Sequence, residues 1–361
     1  MKSFFILGDI SMDEYILKNF YDYMESQNYP INAIFIFVYN DYNTYTDDPH
    51  LEECFDNIEV HEILDAVSDI FQEALEFNSE KAFIQWCAKQ TKQDKKIYVY
   101  TMAQYIEGFG RRTLIPALCQ YYGFININAD AYMSALGCNK ETMYKLLEAN
   151  NMSDILAPSV FLNQYQDINY QYIHSKLGDH IVLKPISESC CIDMSVLVNY
   201  TENELCYYTT QLLNKYGHVM LQKYIKGTEI GITVHFHDQK MYTLSPMQII
   251  FSNGKEHLTH TDSFYGNYQL TDCNVPQELL EKCKSMSYAL EFFCTTRFDF
   301  RYDGENYYLF DLSPNPTVNG YTSSNFAARS TLKCDHRGIL RLMAYEKISL
   351  FEPSFDWTHK V

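Results

Sequence analysis

Apolar positions in the first third of the chain alternate between short continuous runs and runs with helical spacing. Residues 4–8, 31–39 and 97–102 form apolar runs as long as buried strands. From Ile63 to Leu75, apolar residues recur three and four positions apart, which predicts a helix between the second and third strands. Strands separated by helices are typical of a parallel sheet with helices on its faces. The sequence therefore predicts an open α/β domain in this part of the chain.

Beyond about residue 160 the pattern changes to short strands. A helix at 139–150 precedes this region, and a further helix is predicted at 277–293 from apolar residues spaced three and four apart. The predicted strands cover residues 180–184, 196–200, 219–225, 229–237, 240–250, 296–303 and 306–312. A turn at Asp303 and Gly304 joins the last two. The predicted order is an α/β domain followed by an α+β region of largely antiparallel sheet.

The net charge limits the partners of the protein. With 46 acidic and 28 basic residues the formal net charge is −18, and no basic stripe interrupts the acidic field. Such a field repels nucleic acids and anionic membranes, so neither is expected as a partner. A small ligand that carries phosphate remains compatible with this charge if a few Lys and Arg converge locally and a divalent cation assists.

The cysteines and the apolar runs indicate a reduced, cytoplasmic protein. The 11 cysteines are scattered without C-x-x-C spacing, which argues against a zinc ribbon and a disulfide framework. Reduced thiols are the rule in the cytosol. The longest strongly apolar run, at 34–38, is too short to cross a bilayer, and the first residues do not resemble a signal peptide. We therefore expect a cytoplasmic location.

The last predicted hairpin carries the most informative charged residues. Arg297 and Asp299 are two positions apart and share a sheet face, and the turn brings Asp311 back towards them. Two carboxylates on one face repel each other unless a cation lies between them. Hard oxygen ligands of this kind suit Mg²⁺, which substrate phosphates commonly complete. The alternative is an exposed acidic hairpin with an ordinary ion pair.

Two lysines are candidate phosphate ligands. Lys184 ends an apolar strand and precedes Pro185, a position for either an edge residue that extends into solvent or a ligand that reaches into a cleft. Lys140 lies in the first turn of its predicted helix, where a cation is mildly unfavourable for the helix dipole. Neither lysine is diagnostic alone.

Together these residues resemble the D-alanine–D-alanine ligase branch of the ATP-grasp superfamily. The similar blocks follow the family's order through most of the chain. They are residues 8–13 (G-G-x-S-x-E), 107–110 (E-G-x-x-G), 115–118 (I-P-A-L), 134–145 (S-A-L-x-x-D-K-x-x-x-K), 184–195 (K-P-x-x-E-G-S-S-V-G-M-S), 222–229 (the nucleotide hinge), 297–300 (R-x-D-F) and 311–316 (E-x-N-P-x-P). The resemblance implies an N-terminal pre-ATP-grasp domain at 1–127 and two ATP-grasp lobes at 128–225 and 226–361.

The resemblance also implies roles for individual residues. The residues implied to bind ATP are Lys140, Lys184, Glu188, Gln222, Lys223, Tyr224, Ile225, Glu229 and Lys255, the last from a lid at 251–268. Asp299, Asp311 and Ser313 are implied to hold one or two Mg²⁺ ions. Arg297 and Lys184 are implied to stabilise the reacting groups, and Cys190 and Asp13 to orient the substrate. No covalent nucleophile is required.

Several positions depart from the family's pattern. The phosphate-covering loop has Ser189 and Asp193 in place of glycines and Cys190 and Cys191 in place of serines. Ser313 replaces a family asparagine, and Asn315 could substitute only if the backbone shifts. Cys190 can be interpreted as a nucleophile, but a small polar replacement for serine is the better interpretation.

Two further parts of the pattern concern substrate binding, namely the segment around Asp13 and the lid. Asp13 can simply follow Ser11 in a helix capping box. The resemblance aligns Glu256, across a gap, with the tyrosine of the family's lid. The nearby His257 and His260 are expected to be exposed loop residues rather than metal ligands. The loss of the family's lid tyrosine and of its loop serine, which is Cys190 here, argues against D-alanine as the substrate.

The function predicted on these grounds is an ATP-dependent carboxylate–amine ligase of specialised metabolism. It would form an acyl phosphate, release ADP and phosphate, and join small amino-acid-like substrates. The alternative is an ATP-binding protein that has lost catalysis and serves a regulatory or scaffolding role. A homodimer is compatible with the resemblance, but no residue pattern decides the oligomeric state.

Overall fold

The computed structural model describes residues 11–42, 54–90, 94–104, 108–164, 167–259, 262, 267–355 and 357. Its helices are α1 (Met12–Glu25), α2 (Asn57–Asp65), α3 (Glu80–Cys87), α4 (Leu114–Tyr122), α5 (Ala131–Gly137), α6 (Lys140–Ala149), α7 (Tyr170–Leu177), α8 (Glu202–Tyr216), α9 (Gln277–Ala289), α10 (Ser323–Leu332) and α11 (Gly338–Phe351). Its strands are β1 (Ile31–Val38), β2 (Phe71–Phe77), β3 (Lys96–Thr101), β4 (Ile125–Asn126), β5 (Ser159–Asn163), β6 (His180–Pro185), β7 (Ser195–Val198), β8 (His218–Lys223), β9 (Thr228–His237), β10 (Lys240–Thr243), β11 (Met247–Phe251), β12 (Tyr268–Asp272), β13 (Thr296–Tyr302) and β14 (Tyr307–Ser313).

A parallel sheet forms the N-terminal part of the structure, as predicted. Its strand order is β2-β1-β3-β4. Apart from one exposed position near its start, β1 is buried along its length, which is expected of a central parallel strand covered on both faces. The strand predicted at residues 4–8 lies outside the described residues.

The helix predicted from Ile63 to Leu75 is wrong in its second half. α2 ends at Asp65, and Phe71–Phe77 form the edge strand β2, which pairs in parallel with β1. Ile63 and Ile70 are buried in the same core, so their spacing reflects burial rather than one continuous helix. The strand forms because β1 offers a hydrogen-bonding edge, and a local sequence pattern carries no information about that partner.

A second, antiparallel sheet has the strand order β5-β8-β6-β7. Helices α7 and α8 pack against it and share its core, and the sequence analysis predicted neither helix. α8 begins with a capping box in which Thr201 and Glu204 exchange hydrogen bonds. That Thr-x-x-Glu pattern was the signal for the missing helix.

The third sheet is antiparallel, with the order β12-β11-β9-β13-β14 and β10 on part of β9. The prediction of a single strand at 240–250 is wrong, because this segment forms two strands, β10 and β11. Pro246 has no N–H to donate to a ladder. Just before it, Ser245 donates its backbone N–H to the side chain of Thr331 rather than to a strand. Both halves still pair with β9, one beyond the other.

The two ends of the described chain share one hydrophobic core. Phe35 and Tyr98 of the parallel sheet are buried together with Leu342 and Tyr345 of α11. The domain boundaries at residues 127 and 225 stay a prediction. No helix among the described residues combines the length and apolar character needed to cross a bilayer.

Gly227, which precedes β9, provides a test of the junction between β9 and β13. Its φ is +147°, and a Cβ atom there would lie 2.0 Å from the carbonyl oxygen of Tyr302. We expect Gly227→Ala to lower the free energy of unfolding in urea by about 2 kcal/mol or more, since the backbone must shift. Gly110→Ala is the control, because its Cβ would meet only Thr113 Oγ1, at 3.7 Å. Equal stability of the two variants would contradict this account of the junction.

Candidate functional site

Two adjoining cavities lie between the sheets and collect most of the residues that the sequence singled out. Their volumes are about 660 and 120 Å³. Of the predicted site residues, Lys140, Glu188, Glu229 and Asp311 line both. The larger cavity is also lined by Cys190, Arg297, Asp299 and Ser313, and the smaller by Lys184, Gln222, Lys223, Tyr224 and Ile225. The structure therefore brings these positions together from distant parts of the chain.

A β-bulge in the β13–β14 hairpin decides which side chains face the cavities. Asp299 pairs with Asp311, but the register then shifts and leaves Phe310 as an extra residue in β14. Leu309 and Leu312 are therefore both in the core although they are three positions apart. Strict alternation would have placed Asp311 on the face of Leu309. The bulge instead lets Phe310 and Asp311 both line the cavities.

Arg297, which is half-buried, and the buried Asp299 form an ion pair at the wall of the larger cavity. The Nε of Arg297 lies 2.9 Å from Oδ1 and its Nη2 lies 2.8 Å from Oδ2 of Asp299. Burial raises the pKa of Asp299, and Arg297 opposes that shift. Burial alone would lower the pKa of Arg297, but Asp299 and Asp311 outweigh it, so the pKa is raised. The guanidinium therefore stays charged beside the cavity.

Two lysine ammonium groups converge on the same hairpin. Lys140 Nζ lies 3.6 Å from Asp311 Oδ1, and Lys184 Nζ donates to the carbonyl oxygen of Phe310 at 2.9 Å. Burial lowers the pKa of Lys184 to about 8 although Asp311 opposes this. Burial would raise the pKa of Asp311, but Lys140, Lys184 and Arg297 outweigh it and lower the pKa.

The charged side chains of Lys140, Lys184, Arg297, Asp299 and Asp311, here called the charge cluster, together carry a net positive charge. Three cations, on Lys140, Lys184 and Arg297, face two carboxylates, on Asp299 and Asp311, which leaves one net positive charge below the pKa of Lys184. A small excess of positive charge in a partly enclosed space attracts anions. The cluster thus suits an anionic ligand even though the whole chain is acidic.

The smaller cavity is a slot with apolar walls. The apolar residues that line it include Val182, Ile192, Met194, Val196, Ile225 and Phe310. At one wall, Tyr224 stacks on His180 with ring centroids 3.9 Å apart. Gln222 is buried and donates its side-chain amide to Tyr144 at 2.7 Å, which fixes the end of β8. A narrow apolar slot beside polar groups suits a flat heterocyclic ring.

The loop between β6 and β7 adopts glycine-like conformations without glycines. Cys190, Cys191 and Asp193 have positive φ angles of 52°, 58° and 50°. The carboxylate of Asp193 accepts hydrogen bonds from Lys215 and Tyr216 of α8. Burial would raise the pKa of Asp193, but the hydrogen bond from Lys215 contributes to a net lowering. This negative charge is therefore neutralised by α8.

Glu229 is held by an arginine that the sequence analysis did not identify. Arg301 Nη2 lies 2.9 Å from Glu229 Oε2, and both side chains are buried. Arg301 also contacts the rings of Phe251 and Phe310. Burial raises the pKa of Glu229 to about 7 although Arg301 opposes the shift. Arg301 follows Asp299 by two positions on β13, so the alternation that placed Asp299 in the site could have placed Arg301 there too.

A second unpredicted arginine holds the loop between β6 and β7. Arg111 forms a buried ion pair with Glu188, and its neighbour Arg112 reaches Ser189 at 3.5 Å. Both arginines follow the predicted 107–110 block directly in the sequence. The sequence offered one signal for them, because two adjacent arginines stand out in a chain with an excess of acidic residues.

Two predicted site residues lie elsewhere. Asp13 accepts hydrogen bonds from Thr243 and pairs with Lys284 at 2.6 Å, and it lines neither cavity. Lys255 pairs with Asp262 and lines a separate cavity beside the smaller one. In this structure both charges are compensated by protein groups, and the structure does not bring them to the charge cluster.

Other sequence expectations concern the flanks of the site. Ser11 and Glu14 form the capping box of α1, the alternative that the sequence left open for this segment. Glu256 pairs with Lys226 on the surface, and His257 lines the smaller cavity. Residues 8–10, Glu107 and His260 lie outside the described residues.

The hairpin offers oxygen donors that fit one Mg²⁺ ion. Asp299 and Asp311 are directly paired across the strands, and Ser313 follows on the same face of β14. Asn315 is not available, since its side chain bonds to Asn128, Ala129 and Ser134. Within the described residues, no group of three or more His, Cys, Asp or Glu side chains could hold a metal. A cation here would need ligand oxygens and water to complete its octahedron.

Comparisons with known proteins identify the fold. No protein-family model matches the sequence, and neither does any curated protein. Among solved structures, a D-alanine–D-alanine ligase from Bacillus anthracis in complex with ATP is similar with a TM-score of 0.67. It is 14% identical, and the match covers 88% of this chain and 98% of that chain.

Two further solved structures are similar to this chain over most of its length. VanG, a D-Ala:D-Ser ligase from Enterococcus faecalis, has a TM-score of 0.62 at 13% identity and covers 88% of this chain and 100% of its own. The D-alanyl-alanine synthetase A of Vibrio cholerae has a TM-score of 0.63 at 13% identity, with 88% and 99% covered. These likenesses confirm the ATP-grasp fold that the sequence motifs implied.

The raised pKa of Glu229 predicts a pH-dependent stability. The folded state favours the protonated form, so this contribution is complete below the ordinary pKa of 4.5 and is lost as the pH rises through 7. The advantage of the wild type over Glu229→Gln in free energy of unfolding should therefore fall by about 1–3 kcal/mol between pH 4.5 and 8. Urea denaturation at both pH values measures it, with Glu305→Gln in the exposed hairpin turn as control. An advantage that stays constant with pH contradicts the prediction.

Proposed function

We propose that this protein is an ATP-dependent carboxylate–amine ligase that works through an acyl phosphate. The observation that carries the proposal is the charge cluster. The ammonium groups of Lys140 and Lys184 and the carboxylates of Asp299 and Asp311 line two adjoining cavities of one ATP-grasp fold. Had these groups lain on separate surfaces, the proposal would have no basis.

The nucleotide would occupy both cavities. The apolar slot beside Tyr224 and Ile225 suits the adenine ring, and Lys140 and Lys184 are placed to bind the phosphates. Glu229 lines both cavities, the position expected for a residue that binds the ribose hydroxyls. A Mg²⁺ ion bound at Asp299 and Asp311 would neutralise phosphate charge.

Arg297 is the residue placed to stabilise the reacting carboxylate. In the proposed reaction the substrate carboxylate attacks the terminal phosphate of ATP, ADP leaves, and an amine then displaces phosphate from the acyl phosphate. Negative charge develops on the former carboxylate oxygen when the amine attacks. A charged guanidinium fixed by Asp299 offers preorganised stabilisation of that oxygen. The enclosing walls limit hydrolysis of the labile intermediate.

Substrate choice differs from that of the structural neighbours in this proposal. Cys190 lies in the wall of the larger cavity in a left-handed conformation, which supports a positioning role for its small side chain. Asp13 is engaged by Thr243 and Lys284 and is therefore given no role in substrate binding.

Substrate-dependent ADP release tests the proposal. With Mg-ATP and a panel of amino acids and amines, we expect turnover by the wild type. Asp311→Asn and Arg297→Ala should each reduce kcat/KM at least about 100-fold, since each removes a charge from the reacting centre. Glu305→Gln, in the exposed turn of the same hairpin, should leave turnover unchanged. ATP binding without turnover for any substrate pair would support a non-catalytic nucleotide-binding role instead.

The lowered pKa of Lys184 predicts that the affinity for ATP depends on pH. Its ammonium is charged below a pKa of about 8, so attraction of phosphate is greatest there and weakens as the pH rises above 8. Titration calorimetry between pH 7 and 9.5 should show the wild-type Kd for ATP rising severalfold. Lys184→Arg keeps its charge and should show a flatter profile. Lys145→Arg, on the exposed face of α6, is the control. Parallel profiles for all three proteins contradict the role of Lys184.

A further inference from the structure

Two adjacent cysteines face the proposed nucleotide site. Cys190 and Cys191 lie in the loop between β6 and β7, and both are half-buried. Both line the larger cavity. Cys191 also lines the smaller cavity and the separate cavity beside it, so it lies where the three cavities adjoin. The reaction proposed above uses neither thiol as a nucleophile.

Cations beside the pair favour the reactive form of the thiols. Cys190 interacts electrostatically with Arg297, and Cys191 interacts in the same way with Lys184. A neighbouring cation stabilises the thiolate, which is the nucleophilic form of cysteine. Reactive cysteines lie in accessible and positively charged surroundings, whereas inert ones are buried among apolar groups. The pair meets both conditions for reactivity.

Other cysteines lie in less reactive surroundings. Burial raises the pKa of six thiols, namely those of Cys87, Cys119, Cys273, Cys283, Cys294 and Cys334. A raised pKa leaves little thiolate at neutral pH. An oxidant should therefore react with the pair before it reacts with these six thiols. Cys206 of α8 is half-buried like the pair, but of the three cavities that the described residues enclose it lines none.

The loop that carries the pair is anchored on both sides. Before the pair, Lys140 Nζ donates to the carbonyl oxygen of Glu188 at 2.6 Å. After it, the carboxylate of Asp193 is held by α8. Between these anchors, the Met194 N–H donates to the carbonyl oxygen of Cys191 at 3.2 Å and closes a turn. A change in the backbone at the pair therefore alters the loop expected to cover the phosphates.

We propose that Cys190 and Cys191 form a redox modification site, at which hydrogen peroxide converts the two thiols to a disulfide and so blocks nucleotide binding. The inference rests on the ATP-dependent function proposed above. One thiolate attacks the O–O bond of the peroxide, a sulfenic acid forms, and the hydroxide that leaves takes up a proton. The second thiolate attacks that sulfur, the S–O bond breaks, and hydroxide again leaves as water. The thiols lose two electrons and two protons, and the peroxide is reduced to two molecules of water.

The geometry of adjacent residues makes this disulfide reversible. Neighbouring Cα atoms are about 3.8 Å apart, closer than the roughly 4.4–6.8 Å usual for disulfides, so the bond is strained and easily reduced. Strained and accessible disulfides are the labile ones, which suits regulation rather than a structural role. The connecting peptide must also twist to bring the two sulfur atoms together. The turn at Cys191 therefore changes when the bond forms.

Mass spectrometry of the peroxide-treated protein tests the pairing. The wild type is treated with hydrogen peroxide, denatured in N-ethylmaleimide and digested. We expect the peptide that contains both cysteines to lose two hydrogens and to escape alkylation. Cys206→Ser is the matched control and should form the same disulfide. Prior binding of Mg²⁺ and a non-hydrolysable ATP analogue should slow its formation at least about fivefold, since the analogue occupies the cavities that the thiols line.

Titration calorimetry on the same samples tests the effect on nucleotide binding. In the wild type and in Cys206→Ser, peroxide should raise the Kd for ATP at least about tenfold, and dithiothreitol should restore it. Cys190→Ser and Cys191→Ser cannot form the disulfide, so the loss that dithiothreitol reverses should be at most about twofold in each. If the serine variants fail to fold, the mass spectrum and the reversal by dithiothreitol in the wild type decide.

The outcomes separate this inference from the ligase proposal. The inference is overturned if both thiols of the wild type remain open to alkylation, if the disulfide leaves the Kd for ATP unchanged, or if either serine variant shows the full reversible loss. A disulfide that prevents ATP binding, in a protein that releases no ADP with any substrate, supports the modification site and overturns the ligase. ADP release that stops with peroxide and resumes with dithiothreitol supports both.

Discussion

Opposite charges that face one another across the cavities are the interaction on which the site depends. Lys140 and Lys184 come from the segment around the second sheet, and Asp299 and Asp311 from the last hairpin of the third. Either set alone would be a group of like charges in a partly enclosed space. Each set therefore compensates the charge of the other, and with Arg297 the surplus of cations leaves the site suited to an anionic ligand.

The bulge at Phe310 allows Asp311 to face the cavities beside Asp299 and the two lysines. It turns Asp311 to the face of Asp299 while Leu309 and Leu312 stay in the core. It also presents the Phe310 carbonyl to Lys184 and its ring to Arg301. A backbone irregularity of one residue thus positions the proposed metal ligands, the lysine proposed to bind phosphate and one wall of the apolar slot. Bulges near active sites commonly redirect side chains in this way.

Sequence reasoning succeeded where the determining signal was local. The turn at Asp303 brings Asp311 back towards Asp299, as predicted, although the direct pairing of the two residues also requires the bulge at Phe310. The apolar run of β1 likewise identified a central parallel strand. The ordered blocks around these residues implied the ATP-grasp fold.

It failed where the partner was distant in the sequence. β2 was taken for a helix because its pairing edge on β1 is not visible in its own pattern. Asp13 was given a role in the site, and its partners Thr243 and Lys284 lie more than 200 positions away. The bulge was missed for a related reason, since it depends on how β14 packs rather than on its residue types. Arg301 was missed although strand alternation places it on the face of Asp299.

Charges of both signs line the larger cavity. Arg297 and Lys140 contribute positive charge, whereas Glu59 and Glu62 contribute negative charge at another part of its lining. In the proposed function, nucleotide binding relies on the local positive charge and on Mg²⁺, because the overall charge of −18 is unfavourable for an anionic ligand.

The most direct test of the central claim is a crystal structure with Mn²⁺ and a non-hydrolysable ATP analogue, collected at the manganese absorption edge. The account predicts an anomalous peak bound by Asp299 and Asp311 and by phosphate oxygens, with Lys140 and Lys184 on the same phosphates. A nucleotide bound elsewhere, or manganese absent from the hairpin while the nucleotide is present, would contradict it.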